Sequence, residues 1–243
     1  MLEKVTGFIV SSVDYRETSL ILKIFTKEHG LISAMGKGVK SLKSPLRALT
    51  LPYTYGYFYL YYKEDKISIL KDVDIIDPLF KIHEDLTLLS YVNYFADFVS
   101  QVYKESHSPY LFGLLQAVIL KTNEGFDPAV LSSILEVKCL PMLGVGLSLD
   151  ACINCGSQKE IVTIDADQGG LLCKKCYRNE KRYHPETIKL LRLFQYVDIA
   201  KITKLNIKEE IKKEIELFLS TYYSRYTGIY FQSKEFLKKI KPL

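Results

Sequence analysis

The chain of 243 residues is 48% hydrophobic and 25% charged, with a formal net charge of +5, a balance that suits a globular protein with a real core and one to three domains. It contains no run of about 18 apolar residues that could serve as a membrane helix. The opening MLEKVTGFIVSSVDYRETS has neither a long apolar segment nor a small-residue cleavage site, so no secretory leader, no membrane partner and a cytoplasmic location are expected.

Residues 1 to 78 read as strands and turns. Val5, Phe8, Ile9 and Val10 form a first β-rich run, and Leu20, Ile21, Leu22, Ile24 and Phe25 a second. Glu28 to Gly30 turns the chain into Leu31, Ile32 and Ala34; a tyrosine-rich run and Lys66 to Val73 supply two more strands. Five short strands in this span predict a small barrel of the OB type. From Lys23 to Arg47 six basic residues (Lys23, Lys27, Lys37, Lys40, Lys43, Arg47) face one acid, Glu28. GKGVK at Gly36 has no helix start behind it, so it reads as a flexible basic loop and not a nucleotide cradle. Tyr53, Tyr55, Tyr57, Tyr59 and Tyr61 alternate, which places all five on one strand face. Buried phenols each need a hydrogen-bond partner, so Gly56, Phe58 and Leu60 are expected inside and the tyrosines outside. Outside means covered by helices, exposed, or free to stack on bases.

Asp77-Pro78 marks a change of period. From Glu84 the apolar residues Leu88, Leu89, Val92, Phe95, Ala96, Val99, Val102 and Tyr103 recur at helical steps, in a belt where residues 64 to 105 carry nine acids against four bases. Ser108-Pro109 and Asp127-Pro128 each offer a cap and a first-turn proline, and Pro141 bends or ends the third helix. His184-Pro185 opens another. The stripe Ile207, Ile211, Ile215, Phe218, Leu219, Tyr222 forms one more, stopping near Gly228. The tail SKEFLKKIKPL is basic and suits a last short helix or a frayed end.

Between the helices lie Cys152, Cys155, Cys173 and Cys176, as C-x2-C, seventeen residues, C-x2-C. Two thiolates two residues apart can face one ion from a tight turn, and a strand-turn-strand in the gap can bring the second pair round. Disulfides suit a cytosolic chain poorly, a single redox C-x-x-C has no βαβ context here, and an iron–sulfur cluster is the remaining alternative to zinc. One structural Zn2+ per chain is the expectation; four thiolates leave no open position for catalysis. Cys139, among Val137 and Leu140, reads as a buried small hydrophobe. Seven bases against two acids crowd Lys174 to Arg192. Lys174, Lys175 and Arg178, beside the second knuckle, are candidate phosphate contacts or simply solvated charge.

The expected class is therefore α+β: an N-terminal five-stranded OB-type β-barrel (1–78), a helical domain in two parts (79–150 and 181–243) and an inserted four-cysteine zinc module (151–180). Four scattered histidines and the absence of phosphate-loop, dinucleotide or nucleophile-elbow motifs point to a binder, not an enzyme. Lys23, Lys37, Lys40, Lys43 and Arg47 are the candidate phosphate track. An RNA-binding OB/zinc protein, or a protein–protein adaptor with incidental DNA contact, are the alternatives.

The stretches GFIVSSVDYRETSLILKIFTKEHGLISAMGKGVKSLKSPLRALTLPY, CINCG…GGLLCKKC and FLSTYYSRYTGIYFQSKEFL together resemble the RecO family of DNA repair proteins, in order and spacing, over essentially the whole chain. The resemblance implies an OB fold, a helical domain and zinc on Cys152, Cys155, Cys173 and Cys176. It implies binding to single- and double-stranded DNA, with contact at Lys37, Lys40, Lys43 and Arg47, and annealing of complementary strands. Its implied partners are RecR, with which it helps load RecA, and the acidic C-terminal tail of single-strand-binding protein. The helical domain and its basic C-terminal segment are the candidate surfaces for that tail, and association with the nucleoid follows. The net charge is modest for a DNA binder.

Overall fold

A computed structural model describes Leu2 to Ile229 and Gln232 to Ile240. The chain forms two compact units, one running up to Asn123 and including the C-terminal helix, the other beginning at Glu124.

The first unit is built on a closed barrel of β1 (Leu2–Tyr15), β2 (Ser19–Thr26), β3 (Gly30–Gly36), β4 (Tyr55–Tyr61) and β5 (Ser68–Asp77), in the order β1-β2-β3-β5-β4. The long β1 closes the ring by pairing with β4 through its first half and β2 through its second, and a short parallel pairing, Ala34 with Ser68 and Met35 with Ile69, joins β3 to β5. This is the OB arrangement. A register shift between Ile9 and Ser11 bends β1 around the barrel. The interior is filled by Val5, Ile9, Leu22, Ile24, Ala34, Phe58, Leu60, Leu70 and Val73. Strand alternation thus turns Phe58 and Leu60 inward.

The tyrosines divide. Tyr57 and Tyr61 are exposed and Tyr59 is partly so. Tyr53 is not on the strand: it precedes β4 with a positive φ of 65°, and its hydroxyl donates to Asn93 Oδ1 at 2.8 Å. Tyr55 is buried, stacked on Phe8 with centroids 4.2 Å apart, and bonded to Gln116 at 2.5 Å. The expectation of five tyrosines on one strand face is corrected accordingly, because the strand begins only at Tyr55 and helices cover its first turn.

Those helices are α1 (Phe80–Glu84), α2 (Leu86–Ser106), α3 (Tyr110–Glu124) and, from the chain's end, α7 (Gln232–Ile240). Asp85 caps α2 by accepting from the backbone N–H of Thr87 and Leu88. Cross-strand neighbours Phe25, Phe8 and Tyr55 meet Phe112 of α3 and Tyr103 of α2, so an aromatic layer joins helices to barrel. At Gly30 φ is +65°, and a Cβ would run into the Tyr103 phenol; only glycine lets the β2–β3 turn approach α2 this closely. Ser233 of α7 donates to Asp97 Oδ2 at 2.5 Å and Leu237 is buried, so this described part of the basic tail is a helix. Lys241, Pro242 and Leu243 lie outside the described residues.

The second unit holds α4 (Pro128–Cys139), a three-stranded sheet of β6 (Ser148–Cys152), β7 (Ile161–Asp165) and β8 (Gly170–Cys173) in the order β6-β8-β7, then α5 (Pro185–Tyr196) and α6 (Glu209–Tyr226). Asp127 caps α4 as its sequence signal suggests, and a short 3-10 turn, Leu140–Leu143, follows where Pro141 stops the helix. Tyr223 of α6 reaches across to donate to the carbonyl of Glu136 at 2.8 Å. Cys139 is fully buried, and burial pushes its thiol far up, so it packs as an inert hydrophobe.

Candidate nucleic-acid interface and metal centre

The segment from Gly36 to Leu51 is a loop with no long helix or strand, yet it is tightly tied. Val39 is buried against Gly36. Gly38 N–H donates to Ser19 Oγ at 3.1 Å and Lys40 N–H to the Thr18 carbonyl at 2.9 Å, which fastens the loop to the β1–β2 hairpin. Successive turns follow, with Ser41 N–H bonded to Gly38, Ser44 to Ser41 and Arg47 to Ser44. Leu46 and Leu49 then pack onto the barrel core. The apolar residues face in and the cations are left out: Lys37, Lys43 and Arg47 are exposed and carry no carboxylate partner among the described residues.

Lys40 differs, because its ammonium pairs with Asp14 at 2.8 Å. Both are substantially exposed, so the pair is worth about 0–1 kcal/mol and opens easily. The expectation of a flexible loop is corrected by these bonds: the lysines stand on a shelf and not a tether. Two residues on the same rim were missed by sequence reasoning. Arg16 tops the β1–β2 hairpin with φ of 55°, and Leu42 is 85% exposed. Arg16 belongs to the hairpin whose Thr18 and Ser19 bond to Lys40 and Gly38 of the loop, a link with no local signature.

Lys23 stands three residues along β2 from Leu20, which pairs with Gly36 at the loop's base. It lines a groove against α2. The outward tyrosines keep other company: the Lys4 ammonium sits 3.7 Å from the Tyr57 ring centroid, and Tyr59 donates to Asp74 at 2.8 Å. Asp72 and Asp74 lie opposite Tyr59 and Tyr57 across the strands. The ladder thus has an acidic border, and Tyr57 and Tyr59 already have partners within the fold.

The four cysteines converge. One sulfur from each of Cys152, Cys155, Cys173 and Cys176 lies within 4.8 Å of all the others, and Cys155 and Cys173 are 3.6 Å apart. Edges of about 3.8 Å are what a tetrahedron of thiolates with metal–sulfur bonds of about 2.3 Å requires. Two knuckles create this cluster. Gly156 N–H turns back to the Cys152 carbonyl at 2.8 Å with φ of +71°, and Cys176 and Tyr177 N–H both return to Cys173 at 3.0 Å. Burial pushes the Cys152 thiol up, but backbone N–H groups of Cys173, Asn154 and Cys155 outweigh it and bring it down to about 6. Hydrogen bonding to Cys155, then burial, holds Cys176 up at about 12. A cation among the sulfurs removes that proton outright. The donor set fits a structural metal ion.

Beside the second knuckle Lys174, Lys175 and Arg178 are exposed, and Lys181 and Arg182 lie over Tyr183 and Tyr177. Arg178 also has work within the fold: its guanidinium donates to the carbonyls of Lys175 at 2.9 Å and Tyr177 at 3.0 Å.

An OB barrel bearing a cationic shelf, followed in the chain by helices and a ribbon whose four cysteines cluster for metal binding, defines a two-unit OB-fold protein with a candidate metal site. Two family models match the chain. "Recombination protein O N terminal" matches residues 1–79, and "Recombination protein O C terminal" matches residues 83–235. Among curated relatives, a protein of Halalkalibacterium halodurans called DNA repair protein RecO is 34% identical over 247 residues, covering 100% of this chain and 97% of its own. Proteins of the same name from Bacillus subtilis and Bacillus cereus are also 34% identical, covering 100% and 99% of this chain and 96% and 98% of theirs. The chain belongs to the RecO family of DNA repair proteins.

Proposed function

We propose that this protein is a non-catalytic recombination mediator that binds single- and double-stranded DNA and anneals complementary strands. With RecR it promotes loading of RecA onto single strands coated by single-strand-binding protein, whose acidic tail it contacts, in the nucleoid-bearing cytoplasm. The observation that carries this reading is the shelf from Gly36 to Leu51, where Lys37, Lys43 and Arg47 are exposed without counter-ions among the described residues. Cations carried on a tied backbone bind phosphates at a smaller cost in ordering than cations on a free loop. Lys40 joins them when a phosphate displaces Asp14, and Leu42 supplies an apolar tip for a sugar or base. Neutralising phosphates on two strands lowers their repulsion and speeds pairing. Lys23, Lys174, Lys175 and Arg178 extend the set of phosphate contacts.

Residues 1–78 are the DNA-binding domain in this reading, residues 79–150 and 181–243 the helical domain, and residues 151–180 the zinc module. The ion is one Zn2+ per chain, held by Cys152, Cys155, Cys173 and Cys176. It folds the ribbon and supplies no reactive position, since all four ligands are protein thiolates. The experiment is an annealing assay with purified protein, run on bare and on protein-coated complementary strands and with a matched RNA competitor. Acceleration on both DNA forms is expected. Absence of acceleration on either, or preferential capture by the RNA, overturns the reading.

A further inference from the structure

A groove of about 500 Å³ runs along the outer side of the barrel, between strands β1 to β3 and helices α2 and α7. Lys23 of β2 and Lys104 of α2 both line it. Both are exposed, and neither has a carboxylate partner among the described residues. Asp97 is the one carboxylate among the lining residues; each of its oxygens accepts a hydrogen bond from a neutral donor, and its single negative charge stands beside two lysines. Oδ1 accepts from Gln101 Nε2 at 2.9 Å and Oδ2 from Ser233 Oγ at 2.5 Å. The hydroxyls of Ser11 and Ser100 also line the groove and make no hydrogen bond to a described residue.

Two lysines lining one small groove, against a single carboxylate, leave it a net positive charge that attracts an anion. With two free hydroxyls they supply charge and directed donors to a tetrahedral oxyanion, for which lysine is a common point-charge partner. Much of the remaining lining is apolar: Leu31, Ala96 and the ring of Phe236, which is 51% exposed. An exposed aromatic ring is a stacking surface for a base. The volume suits a small ligand, within the usual range of about 300–1,000 Å³.

We propose that this groove is a binding site for a nucleotide phosphate, with Lys23 and Lys104 on the phosphate and Phe236 against the base. It rests on the DNA reading above only for the choice of a nucleotide over other phosphorylated molecules. Two sources share the chemistry, a free mononucleotide and the phosphorylated 5′ end of a strand.

The test uses the full chain and calorimetric titration with dAMP, with deoxyadenosine, and with one short oligonucleotide in 5′-phosphate and 5′-hydroxyl forms. dAMP should bind about tenfold or more tighter than deoxyadenosine. That advantage should vanish in Lys23→Ala/Lys104→Ala and survive in Lys43→Ala/Arg47→Ala. Equal binding of dAMP and deoxyadenosine overturns the site, as does an advantage that persists without the two groove lysines. A matching preference for the 5′-phosphorylated oligonucleotide assigns the strand end; its absence, with dAMP still favoured, assigns the free nucleotide. Salt-sensitive DNA binding that depends on Lys43 and Arg47, with no dAMP preference, overturns the groove alone. A dAMP preference lost with Lys23 and Lys104, in a protein that binds no DNA, overturns the shelf alone.

Discussion

Neighbouring residues of one strand face opposite fates in β4. Phe58 and Leu60 are completely buried in the barrel core, while Tyr61 is 46% exposed. Phe58→Ala should therefore cost about 3–5 kcal/mol, since a cavity adds to the lost transfer energy, whereas Tyr61→Ala should stay within about 0.5 kcal/mol. Denaturant titration of the two variants separates them, and similar losses would mean that the strand faces are misassigned. Period-2 alternation was enough to read this division. It could not show that Tyr53 lies off the strand or that Gln116 would reach Tyr55, because both depend on helices distant in the chain. Gly30 is a second residue-scale case. Gly30→Ala demands a positive φ of an L residue and collides with Tyr103, so a loss of about 1–3 kcal/mol is expected. In Gly30→Ala/Tyr103→Ala the collision is gone, and the combined loss should be smaller than the sum of the single losses. Strict additivity in a thermal melt would contradict the contact.

Among elements, the metal ribbon is the one whose knuckles are packed largely by its own candidate ligands. The buried cluster at its knuckles is Cys152, Leu172 and Cys173, and two of those three residues are ligands. An ion held by these thiolates would add its binding energy to the stability of the knuckles. Elemental analysis should find about one ion per chain. Chelation, or Cys152→Ser/Cys155→Ser, should open the segment Ser148–Cys173 to protease while the barrel, whose core shares no residue with it, stays intact. A protease-resistant ribbon in metal-free protein would contradict this. The cysteine spacing made the element legible because thiolate geometry is local. The third strand, β6, gave no comparable signal, since it enters the sheet only through a short parallel pairing with β8.

For the molecule as a whole, a net charge of +5 understates what the fold does with its charges. Folding pairs some cations internally, Lys40 with Asp14 and Lys212 with Asp127 at 2.5 Å, and leaves Lys37, Lys43 and Arg47 on one shelf with no carboxylate partner among the described residues. The basic run was legible in the sequence. The hydrogen bonds that stiffen it, and the groove that joins Lys23 to Lys104, were not, because each is made between segments far apart in the chain. The central claim is that this shelf is the phosphate track. Its most direct measurement is the salt dependence of single-strand binding by the wild-type protein and by a Lys37→Ala/Lys40→Ala/Lys43→Ala/Arg47→Ala variant. Each lost phosphate contact should flatten the log–log slope by about 0.7, so a markedly shallower slope is expected in the variant. An unchanged slope would contradict the claim and move the DNA site to another surface.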